Sequence, residues 1–341
     1  MMMNRKMAWL GVLLFGACGA QGDFDVKKVV PGDQALRLDV PARDAMTRLP
    51  PAGGKDVRDA VGEPGRFYAM TLSVSRAMNL QALALLGVVR AVVHLPPTRD
   101  DGDSKVWGPY TPGGLEPATF RLTAQKVADD HYTFKLEARP RASSAEADYK
   151  IVLDGESEQV AGDRGKGRIR LDFDVARTLD PTSCENGKAT FFYDATQPAR
   201  EIRVELRGYA SRNDGNPVCR RELAHDADYA YTRDSSGAGT FLFDVQANVN
   251  DASEAKPLLE QIKIRSRWQA DGAGRSDVAV TGGEVVQDLA RAGLGVDKVT
   301  ATECWGASFR VSYQTSAPEA VHLWPTEGDT ASCAFSAAEL P

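Results

Sequence analysis

The chain has 341 residues, of which 43% are hydrophobic and 26% charged, and its net charge is −6. That balance describes a globular protein long enough to bury a sizeable core, rather than a disordered or membrane-spanning chain. The 41 Lys and Arg are dispersed with no long basic run, so the electrostatic footprint that a phosphate backbone requires is missing and nucleic acid is excluded as a partner.

Residues 1–22 have the composition of a targeting segment. Arg5 and Lys6 give a positive start, Ala8 to Phe15 a short apolar run, and Gly16, Ala17 and Gly19 a small-residue exit. The run falls short of the roughly 20 residues needed to cross a hydrocarbon core, so the segment predicts export rather than a membrane span. "LLFGACGAQG" resembles the lipoprotein signal peptides of bacteria, in which a short apolar run ends in two small residues and a cysteine; Gly16, Ala17 and Cys18 match. The resemblance implies removal of residues 1–17 and acylation of Cys18 at its sulfur and its new amino group. Phe15 departs from it, since Leu is usual three residues before the cysteine, and ordinary cleavage after Ala20 would instead remove Cys18. Gly19 stands where an Asp would signal inner-membrane retention, so the resemblance implies the outer membrane. Two or three acyl chains, at about 0.8 kcal/mol per buried CH2, would make such an anchor effectively permanent.

From residue 18 to 65 there is little periodicity, and "RLPPAGGKDVRDAVGEPG" is rich in Pro and Gly, as a tether or loose lead-in would be. The segment from Arg66 to Leu95, bounded by Gly65 and by Pro96 and Pro97, predicts one long helix that is apolar on most of its circumference. Arg76, Asn79, Arg90 and His94 fall within about 60° of one another at about 100° per residue, a narrow polar stripe. The stripe reads as a solvated edge or as a ligand or partner contact.

After Asp103 the period becomes two. Phe120, Leu122 and Ala124 alternate with polar residues, as do Tyr132, Phe134 and Leu136, then Ile169, Leu171, Phe173 and Val175, and the pattern recurs as far as Phe309, Val311 and Tyr313. Such alternation means strands with one buried and one wet face. "DGES", "GDRGKG", "ENGK", "DSSGAG" and "ADGAG" supply hairpin turns, so about ten or eleven strands should be antiparallel neighbours. The fold expectation is a mainly β chain with one long N-terminal helix, its antiparallel meander curled into a half-barrel or barrel around the helix, in a single domain over residues 66–341. The arrangement is similar to the half-barrel of periplasmic lipoprotein carriers and, more loosely, to lipocalin barrels, by architecture and without a shared motif. "VWGPYTP", "WQADGAGRSDVAV" and "TECWGASFRVSY" are similar to stretches in exported lipoproteins of Gram-negative bacteria. That likeness implies a compartment and no activity.

With Cys18 set aside, Cys184, Cys219, Cys304 and Cys333 remain, an even set that suggests two disulfides in an oxidising compartment. Of the three pairings, Cys184 with Cys219 and Cys304 with Cys333 are favoured, because the first two flank a hairpin-like stretch and the second pair would pin the C-terminal tail. The scattered His94, His131, His225 and His322 and the lack of CxxC argue against a metal site. "WGASFR" around Ser308 lacks the glycine pattern and base of a nucleophile, "GDRGKGR" lacks a full phosphate loop, and "RDDGDS" from Arg99 lacks the spacing of a calcium loop. Asp172 and Asp174 read as charges on the wet face of one strand. Trp107 and Tyr110 read as a plug at the end of the sheet, and Trp305 as packing on the disulfide. No enzyme, cofactor or catalytic residue is expected. The expected function is a membrane-anchored lipoprotein of the cell envelope with a non-catalytic domain. One reading has it bind an apolar or amphipathic ligand between helix and sheet. The other gives it a solid core and a structural or interaction role.

Overall fold

Alternating apolar and polar residues build most of the chain into strands, and turn residues place each strand beside the one before it. A computed structural model describes residues 24, 28–32, 34–42, 61–111, 117–161, 164–211, 223–248, 258–319, 325–338 and 340. Helix α1 (Arg66–Val93) comes first. Strands β1 (Arg99–Asp100), β2 (Ser104–Tyr110), β3 (Ala118–Ala128), β4 (His131–Pro140), β5 (Lys150–Ala161) and β6 (Arg164–Asp172) follow. Helix α2 (Phe173–Leu179) leads to β7 (Glu185–Asp194), β8 (Arg200–Ser211), β9 (His225–Arg233), β10 (Gly239–Ala247), β11 (Glu260–Trp268) and β12 (Gly274–Gly282). After helix α3 (Gly283–Arg291) come β13 (Lys298–Trp305), β14 (Val311–Ala317) and β15 (Glu327–Gly328).

Among the described residues 15 strands form one sheet whose spatial order is the chain order, every pair antiparallel. The expected half-barrel or barrel around the helix is corrected by this topology: among the described residues β1 pairs only with β2 and β15 only with β14, so the sheet is open. Closure would bury the apolar face and remove the edges, and both needs are met otherwise. Helix α1 and the lead-in cover the apolar face, and the edge strands have two residues each, which offers little template for pairing.

Three further differences have local causes. The alternation through Phe173 and Val175 does not continue β6, because the Asp172 side chain accepts the Val175 N–H at 3.0 Å and caps α2. Asp172 and Asp174 therefore do not share a strand face, and Asp174 accepts the Gly187 N–H at 2.9 Å. Helix α3 follows Gly282 and begins at Gly283, and their φ values of 72° and 54° turn the chain out of β12. The lead-in is not a loose tether where it is described: Phe24, Val29, Val30, Ala35, Leu36 and Leu38 lie in the main core. Low periodicity concealed this, because an irregular segment follows the contour of the surface it covers instead of a helical or strand repeat.

The inner face of the sheet carries a repeated device that depends on register. Phe134 faces Gly155, Tyr193 faces Gly167, Trp268 faces Gly239 and Trp305 faces Gly274, each as direct cross-strand partners. In every case a Cβ on the glycine would stand within 2.4 to 2.7 Å of the opposite side chain, so the ring lies over bare backbone. The two tryptophans repeat a whole unit, their indole N–H groups donating to Gly237 O at 3.1 Å and Gly272 O at 2.9 Å in the preceding hairpin turns. Gly274→Ala would put its methyl 2.4 Å from the Trp305 ring, and overpacking of this kind costs about 1–3 kcal/mol. A urea midpoint unchanged by this substitution would refute the device.

Candidate functional site

Helix α1 meets the sheet most closely where side chains are small. The Thr71 hydroxyl donates to Phe67 O at 2.7 Å and so accepts from Ser266 at 2.6 Å, and Ser276 then donates to Ser266 at 2.6 Å. The row is buried and ends on a main-chain carbonyl. A hydroxyl becomes a nucleophile when a neighbouring base takes its proton. This row instead sets the helix on β11 and β12.

Glu303, on β13 and 2% exposed, reaches the start of α1. Its carboxylate accepts the N–H groups of Arg66 at 2.6 Å, Phe67 at 3.0 Å and Tyr68 at 3.2 Å, while Gly65 at the N-cap position offers no side chain. A negative charge at the positive end of the helix dipole, satisfying donors that the helix leaves unpaired, fixes this terminus. Glu260 on β11 does the same for α3, accepting the Glu284 N–H at 2.9 Å. At the far end of α1 the Trp107 indole on β2 donates to Leu95 O at 2.7 Å, so α1 is tied to β13 at its start and to β2 at its end. Trp107 is buried and Tyr110 exposed.

The polar stripe expected on α1 divides between two environments. Asn79 exchanges hydrogen bonds with the Leu38 main chain at 2.8 and 2.9 Å, and Arg90 donates to Pro31 O, so this flank grips the lead-in. Asp39 extends the grip to the sheet through ion pairs with Arg200 at 2.7 Å and Arg233 at 3.2 Å, and its N–H donates to the Tyr231 hydroxyl at 3.0 Å. The other flank, with Arg76 and His94, stays exposed.

Burial pushes the Tyr68 phenol up to about 12, against a smaller opposing pull from Arg76, and burial likewise pushes Tyr229 up to about 12. The folded state therefore holds these protons more tightly than the unfolded chain, whose tyrosines titrate near 10. Their contribution to stability is complete below pH 10 and falls away as the pH rises to about 12. Phenolate absorbance in the folded protein should lag behind that of the denatured chain over the same interval. Coincident curves would contradict this.

The outer face is a ladder of cross-strand charges. Asp154 faces Arg170, Glu156 faces Arg168 and Glu158 faces Lys166 across β5 and β6, each pair making an ion pair. Near the C-terminus, Arg267, Arg275 and Asp277 hold the tail: Arg267 donates to Ser336 O at 2.5 Å and sits 5.1 Å from the Phe335 ring centre. A disulfide between Cys304 and Cys333 closes the same region. Trp305 does not pack on this disulfide, because alternation along β13 sends Cys304 outward and Trp305 inward, where it meets Tyr68 at 5.5 Å between ring centres. Cys184 is also disulfide-bonded, while Cys219 and Cys18 lie outside the described residues.

The remaining motifs resolve into ordinary structure. In "RDDGDS", Asp100 pairs with Lys105 and accepts the Gly102 N–H at 3.1 Å, and Arg99 pairs with Asp101 at 2.8 Å. In "GDRGKG", residues 164–167 belong to β6, and residues 162–163 lie outside the described residues. Among the described residues no group of three His, Cys, Asp or Glu could hold a metal ion, and no helix is long and apolar enough to cross a membrane. Two clefts, of about 650 and 260 Å³, lie at Gly295–Lys298 beside Pro318 and on the outer face around Thr123, Lys135 and Glu156. Both are away from the space between α1 and the sheet. No family model, curated protein or solved structure matches this chain. Sequence reasoning missed Glu303, Glu260 and Asp39, for each acts on residues remote in sequence, and a lone acidic residue gives no local signal.

Proposed function

We propose that this chain is a lipid-anchored protein of the cell envelope whose folded part is a non-catalytic interaction domain. The observation that carries this reading is the filling of the space between α1 and the sheet. Leu86 and Val89 of the helix, Val29 and Leu36 of the lead-in and Phe241 and Ala124 of the sheet are all buried in one core. A helix–sheet interior packed in this way supports the solid-core reading over an internal apolar ligand. The surfaces that remain for a partner are the charge ladder of the outer face and the exposed flank of α1. Cys18 is the anchor in this reading, and the envelope partners are proteins or polymers met at the membrane.

Two measurements test it. Metabolic labelling with a clickable fatty acid should mark the wild-type chain and not Cys18→Ala, and a label that survives the substitution refutes the anchor. Native mass spectrometry of the mature domain should give the mass of the polypeptide alone, whereas a stoichiometric co-purifying lipid refutes the solid core.

A further inference from the structure

Helix α1 carries no Asp or Glu over its whole length, in a chain of net charge −6, and its charged residues are all arginine. Arg66, Arg76, Leu80, Leu83, Gly87 and His94 are exposed, and they fall within about 100° of arc at about 100° per residue. Leu80 is 53% exposed and Leu83 47% exposed, one turn apart near the middle of the helix. A helix that is apolar on most of its circumference belongs in an enclosed setting, yet this flank is turned away from the sheet that takes the other. The stripe thus combines exposed leucines at its centre with exposed arginines toward its N-terminal end.

We propose that this flank of α1 lies on an anionic bilayer surface, with Leu80 and Leu83 entering the headgroup boundary and Arg76 meeting lipid phosphates. Charge complementarity chooses this occupant: an acid-free, arginine-bearing apolar stripe matches a negatively charged lipid interface, and interfacial helices are built this way. Among the described residues no helix is long and apolar enough to span, so α1 rests on the surface rather than crossing it. The inference rests on the anchored reading only for proximity, since an acyl chain at Cys18 would hold the domain at the bilayer while α1 orients it.

The test uses the polypeptide from Gly19 onward, which keeps every described residue and lacks the acylation site, so that the anchor cannot carry the result. It should sediment with vesicles of phosphatidylcholine and phosphatidylglycerol, and far less with phosphatidylcholine alone, with binding that weakens as salt is raised. Arg76→Gln should weaken binding about fivefold, as expected for one basic group near an anionic surface. Leu80→Ser with Leu83→Ser should weaken it more than tenfold at an unchanged melting temperature, because both side chains are exposed in the free protein. Failure to sediment with anionic vesicles, or binding indifferent to both variants, overturns the proposal. So does a dimer in sedimentation velocity that Leu83→Ser dissociates, which would make the flank a contact between copies. Loss of fatty-acid label from the cell-derived protein would instead overturn only the anchor, and the two failures are therefore distinguishable.

Discussion

Replacing Glu303 with alanine is expected to lower the unfolding free energy by about 3–5 kcal/mol, because three N–H groups at the start of α1, two of them buried, lose a charged acceptor at once. Hydrogen bonds to charged groups contribute about 1.5–3 kcal/mol each in isolation, and the three share one carboxylate, so the sum is less than additive. Glu303→Gln keeps one oxygen acceptor and should cost about half as much. Urea denaturation with an unchanged m-value measures both. A cost below about 1 kcal/mol for the alanine variant would mean that α1 is held by its apolar contacts alone and that the strand-to-helix cap is incidental. Gly65 belongs to the same arrangement: a Cβ there would stand 2.8 Å from the Glu303 carboxylate, so Gly65→Ala should reproduce part of the loss.

Removing the lead-in should have the larger effect. A chain that begins at Val61 loses Phe24, Val29, Val30, Leu36 and Leu38 from the core, each worth roughly 1.5–3 kcal/mol of burial. The total, on the order of 10 kcal/mol, is as large as the whole stability of an ordinary domain. It also strips partners from Asn79, Arg200 and Tyr231, and from Ser157, whose hydroxyl donates to Lys28 O at 2.7 Å. The expected outcome is a chain that does not unfold cooperatively, compared by calorimetry with the chain from Gly19. A shared melting temperature would restore the tether reading. If the truncated chain is insoluble, Leu38→Ala in the intact chain gives a graded version, with an expected loss of about 2–5 kcal/mol.

These results bear on function through one physical point. An anchor followed by a flexible spacer would let a domain tumble, whereas the described lead-in is stitched to α1, β5, β8 and β9. The described lead-in and the exposed flank of α1 are then parts of one body, and the distance between them is set by the fold. That is the reason for testing the flank against lipid before any soluble partner.

The period-two pattern made the antiparallel meander legible. Leu122, Phe134, Ile169, Phe191 and Phe241 all fall on the covered face, as residues with one side toward the core must. Polar alternates such as Asp154 and Arg170 fall on the outer one. Turn sequences such as "DSSGAG" were equally readable, because Asp234 accepts the Ser236 N–H within the turn and needs nothing remote. Residues 169–175 mark the limit of that method: a short helix that begins with a capped Asp172 has the same spacing of apolar residues as a strand over so few positions.

By itself the sequence determined most of the strands, their hairpin order and the resemblance that makes Cys18 an expected lipid anchor. All of these follow from neighbours along the chain. Only the tertiary structure decided that the sheet stays open, that the described lead-in is core, that Glu303 caps α1 and that aromatic rings lie over glycines at four places from β4 to β13. Each depends on registers and contacts between residues far apart in sequence, and neither hydrophobic periodicity nor turn chemistry encodes those pairings.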